Sequence, residues 1–166
     1  MNTQKNDQNL IAILWIALGT LGRLLPLPPN MTPMTSVALF GGAHLPRGLA
    51  VLVTLTVMVL SDALIAFASG HEVFGYWSIF TYSGFAAMVL AGSFLRVSVT
   101  AGRTASFLVG SSLGFWVWTN FGTWLVSGMY PLSGEGLMAC YVAALPFLRN
   151  ALVGDLAWGM VLFLGF

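Results

Sequence analysis

The chain has 166 residues, 58% of them hydrophobic and 7% charged, with a formal net charge of +1. Ordinary soluble domains are about 25% charged, so this composition excludes one and points to a lipid environment. The near-neutral balance gives no reason to expect nucleic acid, and the single cysteine, Cys140, excludes an internal disulfide or a CxxC metal site.

In chain order, a polar start with Lys5 precedes an apolar run from Leu10. This is like a signal peptide, but no small-x-small cleavage site follows cleanly and Arg23-Leu24-Leu25-Pro26 comes next. A retained first span is expected over about 10–25. The segment Pro26 to Pro33 is too rich in proline to be helical. A short second span is expected over 34–45, only ~18 Å long as helix. Pro46-Arg47-Gly48 is a tight turn before a third span, 48–69. His71 and Glu72 lie in a short loop before a fourth span, 76–95. A polar loop with Arg96 and Arg103 leads to a fifth span, 105–126. The loop 127–136, with Tyr130-Pro131 and Glu135, precedes the last span, 137–166.

The expected fold is therefore all-α: one integral membrane domain over 1–166, a polytopic bundle of six transmembrane helices. Continuous rather than alternating apolar runs argue against a β-barrel. A re-entrant second span would leave five crossings. With six crossings and both termini cytoplasmic, Lys5, Arg47, Arg96 and Arg103 all fall inside, as the positive-inside rule prefers.

The last span carries Pro146, Arg149, Asn150 and Asp155 in an otherwise apolar run. Pro146 has no N–H to give Val142 and invites a kink. A charge at bilayer depth costs about 2.5–3.5 kcal/mol even on insertion scales, so it faces a partner or a wet cavity. Tyr141, Leu145 and Arg149 share a face at i, i+4, i+8, whereas Asp155 lies about 120° away. Counting 1.5 Å per residue puts Arg23, Asp62, Asn120 and Arg149 in the outer half of the bilayer and Asp155 in the inner half. The outer layer reads as a substrate cavity closed by the proline-rich loop, or as an ion pair such as Asp62 with Arg149 that glues the bundle. Asn30 and Thr32 in that loop offer hydrogen bonds, so it is either a lid or a plain connector. Trp116 and Asn120 share a face of the fifth span, where Trp116 would stack on a flat ligand or simply pack. Gly110-Ser111-Ser112-Leu113-Gly114 and Ala87-x-x-x-Ala91 allow close helix approach. Cys140 is a metal ligand or, more ordinarily, a small buried hydrophobe. The chain has no GxxxxGK[ST], HExxH or GxSxG, and nothing in it suggests an enzyme. No cofactor or metal is expected.

Arg23, Pro28-Pro29-Asn30-Met31-Thr32-Pro33, Ala38 to Ala43, Ser61-Asp62, Thr119-Asn120-Phe121, Tyr130-Pro131, Cys140-Tyr141, Pro146-Phe147, Asn150 and Gly154-Asp155 together resemble an uncharacterised family of small bacterial inner-membrane proteins. That family resembles, in size, six-helix plan and loop placement, the substrate-binding S components of energy-coupling-factor (ECF) vitamin transporters. The resemblance implies uptake of a small vitamin-like micronutrient, bound in the outer half beneath the loops after helices 1, 3 and 5. The implied substrate-binding residues are Arg23, Asn30, Asp62, Trp116, Asn120, Tyr141, Arg149 and Asn150. It also implies docking on a coupling subunit with ATPases through AxxxA on the first helix, a spacing that Ala12, Ala17, Gly19 and Gly22 do not form. The alternative is a structural or assembly subunit with no ligand.

Overall fold

The computed structural model describes residues 2–70 and 72–165; His71, expected in an outer loop, lies outside them. Every regular element among these residues is helical. Helix α1 (Asn2–Leu21) begins well before the apolar run at Leu10 and ends in a 3-10 turn, Gly22–Leu24. Then come α2 (Met34–His44), α3 (Arg47–Ser69) and α4 (Ser78–Gly92), the last prolonged by a 3-10 turn over Ser93–Val97. Helices α5 (Ala101–Val126), α6 (Gly134–Ala143) and α7 (Leu145–Gly165) complete the chain. Among the described residues, three stretches are long and apolar enough to cross a membrane: Arg47–Ser69, Ser78–Val97 and Leu145–Gly165.

The faces are arranged as lipid demands. Leu10, Leu14, Leu18 and Leu21 form an exposed stripe on α1, and Leu52, Leu60, Leu64 and Phe67 do so on α3. Thr35, Ser36, Thr54, Ser61, Ser112 and Asp155 are buried instead. Apolar side chains in such numbers on the outside would be an aggregation surface in water, whereas in hydrocarbon they are solvated.

Helix α2 is the hub. Met34 to Ala43 are all buried, as befits a helix apolar on every side, and α1, α3, α4, α5 and α7 all touch it. At ~16 Å it is too short to cross hydrocarbon by itself. It is entered from the segment 25–33, which is exposed over residues 25–30 and buried only at Pro33. Its crossing with α4 is backbone on backbone: a Cβ on Gly42 would strike the Val89 carbonyl, and one on Gly92 would strike that of Leu39. The expected GxxxG behaves otherwise, for Gly110 and Gly114 have no neighbour within 4 Å and face outward.

The three arginines of the expected inner side gather at one end. Arg96 donates to the Gly42 carbonyl at 2.9 Å and to that of Leu45, covering the C-terminus of α2. Arg47 reaches Ser93 Oγ at 3.3 Å and Arg103 reaches the Phe94 carbonyl at 2.9 Å.

The last span, expected as one kinked helix, is two. Pro146 cannot donate to the preceding turn, and the helix breaks at Ala144, whose N–H is shared between the carbonyls of Cys140 (3.1 Å) and Tyr141 (3.2 Å). Trp116 Nε1 donates to the Ala144 carbonyl at 3.0 Å and ties the break to α5.

Candidate functional site

The segment Leu25–Pro33 runs into α2 and lies against the N-terminal half of α7. Its prolines hold it extended, and a turn at Pro28–Met31 closes with the Met31 N–H on the Pro28 carbonyl at 3.0 Å. Asn30 takes a left-handed conformation there, with φ +64°, which asparagine tolerates better than most residues. Asn150 Nδ2 donates to the Pro29 carbonyl at 3.1 Å. Gly154 lets Met31 sit directly on α7, since a Cβ on Gly154 would come within 2.9 Å of the Met31 Cα.

Beneath this loop is a small cavity of about 90 Å³. From the loop it receives Asn30 and Thr32, from α2 Thr35, and from α4 Phe85. Helix α5 contributes Ser112, Phe115, Trp116, Thr119 and Asn120, which is one helical face at i, i+3, i+4, i+7, i+8. Helix α7 contributes Phe147, Ala151 and Asp155 at i, i+4, i+8. Asp155 is 3% exposed and sits mid-helix, ~15 Å from either end of α7. Its Oδ2 accepts from Ser112 Oγ at 2.5 Å, and its backbone carbonyl accepts from Ser36 Oγ at 2.8 Å. Asn120 Nδ2 is turned back onto the Trp116 carbonyl at 2.8 Å, leaving Oδ1 as its remaining polar atom.

A second cavity of about 430 Å³ lies between α3, α4 and the 70–77 loop, and its lining includes Arg23, Asp62, Glu72, Trp77 and Tyr82. Arg23 Nη2 pairs with Asp62 Oδ1 at 2.7 Å while Arg23 Nη1 donates to Ser61 Oγ at 2.7 Å. Tyr82 Oη donates to the other Asp62 oxygen at 2.5 Å. Both oxygens of Asp62 are therefore occupied, and the charge is neutralised on the spot.

The expected single layer is thus divided. Asn30, Trp116 and Asn120 meet in the cavity under the loop, and Asn150 pins the loop over it. Arg23 and Asp62 form the ion pair of the other cavity, in place of the Asp62–Arg149 pair named from the sequence. Tyr141 packs against Trp116 with ring centroids 5.0 Å apart and the rings tilted by 52°, and donates to the Val117 carbonyl at 2.9 Å. Arg149 is exposed and lines neither cavity. The break at Ala144 explains both departures: it cancels the register that put Tyr141 and Arg149 on one inward face. Asp155, Ser112 and Thr35 were missed as cavity residues. Their signal was present, because Ser112, Trp116 and Asn120 recur at i, i+4, i+8, as do Phe147, Ala151 and Asp155. Cys140 is 2% exposed and its thiol faces the Asn120 carbonyl at 3.4 Å. Among the described residues, no three His, Cys, Asp or Glu side chains cluster to hold a metal.

A family model described as a family of unknown function, DUF6580, matches residues 3–166. No curated protein and no solved structure matches the chain.

Proposed function

We propose, for a chain that belongs to the DUF6580 family of unknown function, a capture role: it binds a small vitamin-like micronutrient in the cavity under the loop 26–33 and serves its uptake across a bacterial inner membrane. The observation that carries this reading is the cavity itself. Eleven polar or aromatic residues from the loop and four helices would be wasted on mere packing, and a stiff loop is stapled across them by two contacts, Asn150 with Pro29 and Met31 on Gly154. Phe85, Phe115, Trp116 and Phe147 suit a flat ring. The protein acts as a binder and not as an enzyme.

Ligand pockets usually measure about 300–1,000 Å³, so a ring-sized ligand needs more room than the 90 Å³ found here. Loading requires the loop to lift, which costs the Asn150 hydrogen bond and the Met31 contact. The bundle is read as six crossings resembling an ECF S component, both termini cytoplasmic. The end that gathers Arg47, Arg96 and Arg103 then faces the cytoplasm, and the loop 26–33 faces outward. Energy comes from a coupling subunit with ATPases, or from rocking of the bundle itself.

The test is a thermal-shift panel of vitamins and related rings on purified protein. A binder that raises Tm saturably in wild type, at least tenfold weaker in Asn120→Ala and unchanged in Arg149→Ala, is the expected result. No binder, or equal binding by all three proteins, refutes it. The second reading, an assembly subunit without ligand, is favoured by the outward Gly110 and Gly114, which offer a partner helix a close approach. A stable membrane partner that co-purifies with wild type and is lost in Gly114→Leu would support it.

A further inference from the structure

We propose that the group entering the cavity at Asp155 is a cation, either an alkali metal ion or the protonated amine head of a ligand. The inference rests on the reading of this cavity as a binding site. Among its lining residues Asp155 carries the only formal charge, and no Lys, Arg or His stands with it. This sets it apart from Asp62, which has its own arginine at 2.7 Å. An ionised carboxylate at this depth, 3% exposed, needs a counter-charge or neutralisation. The chain supplies hydroxyls instead. Ser112 donates to Oδ2 at 2.5 Å and the Thr35 hydroxyl adjoins the carboxylate. A carboxylate accepts at about four positions, so roughly half of its capacity is left for an incoming group.

The surrounding donor set fits the same charge. Thr32, Thr119, Asn30 and Asn120 also line the space, and each carries a neutral side-chain oxygen. Hard oxygens of this kind suit an alkali ion or an ammonium group, whereas transition metals prefer imidazole or thiolate. The aromatic faces of Phe115 and Trp116 border it as well and attract a cation at close range. A space of about 90 Å³ has room for an ion with a few waters or for an amine head, with a ring left above it to be covered by the lifted loop. An anionic group would meet a carboxylate and no cation.

The experiment uses purified full-length protein at pH 8, titrated with NaCl, LiCl or methylammonium chloride, with choline chloride holding the ionic strength constant. A saturable rise in Tm with at least one of these cations is expected, weakened at least tenfold in Asp155→Asn and several-fold in Ser112→Ala. A response to sodium or lithium alone assigns an alkali ion; a response to methylammonium alone assigns an amine-bearing ligand. Should Asp155→Asn not fold, retention of radiolabelled sodium or methylammonium by wild type, displaced by the unlabelled salt, decides the matter with Ser112→Ala as the variant. No saturable response in wild type, or an undiminished one in Asp155→Asn, overturns the proposal. The two readings fail separately. A neutral or anionic micronutrient that binds Asp155→Asn as well as wild type sinks the cation and keeps the capture role; a cation response without any micronutrient does the reverse.

Discussion

At the scale of single residues, partly buried Asp62 and fully buried Asp155 behave differently because their surroundings do. Asp62 is held by Arg23 and Tyr82, so its charge is matched within the fold. Removing one partner leaves the other charge uncompensated in a low-dielectric setting. Asp62→Asn should therefore destabilise the protein by about 2–3 kcal/mol, read from unfolding in detergent. The double variant Arg23→Met, Asp62→Leu should recover part of that loss, because neither polar group is then stranded. Full additivity of the two single changes would show that the pair is uncoupled. That Asp62 and an arginine would meet was legible in the sequence, since neither could sit alone at bilayer depth. Which arginine was not. Arg23 and Arg149 have equal claims by depth, and only the break at Ala144 sends Arg149 to the outside.

At the scale of elements, the fold turns on α2 and on the broken last span. The break followed directly from Pro146, whose missing N–H shows in any sequence. The packing glycines did not, because spacing tells which residues share a face but not which face looks inward. Gly110 and Gly114 have the familiar spacing, yet a Cβ on either would meet nothing within 4 Å, while Gly42 and Gly92 bring two backbones together. Gly92→Leu should cost more than about 3 kcal/mol and abolish a monodisperse product, since the obstacle is the backbone of Leu39 and cannot rotate away. Gly114→Leu should change stability of the isolated chain by no more than about 0.5 kcal/mol. Size-exclusion profiles and melting curves of the two variants separate the cases. Equal damage from both would mean that the α2–α4 crossing is not the tight one.

At the scale of the whole molecule, the apolar exterior, the buried hydroxyls and the basic end form one consistent pattern. Apolar faces and long helices were plain from composition, and so was the end that carries Arg47, Arg96 and Arg103. The convergence of Asp155 with Asn30 and Asn120 was hidden, because depth counted along separate helices is good only to about one turn, 5.4 Å, and the last helix had to be divided first. In the proposed orientation, cysteines introduced at Glu72 and Ser133 should react with a membrane-impermeant maleimide in intact cells, and one at Ser98 only after permeabilisation; Cys140 is buried and should stay silent. Labelling of Ser98→Cys in intact cells would invert the bundle. The central claim, that the loop 26–33 closes over a ligand held by α5 and α7, is tested most directly by hydrogen–deuterium exchange with each compound of the vitamin panel. One of them is expected to protect 26–33 together with 112–120 and 147–155. Protection confined to other segments, or no protection with any compound, would contradict it.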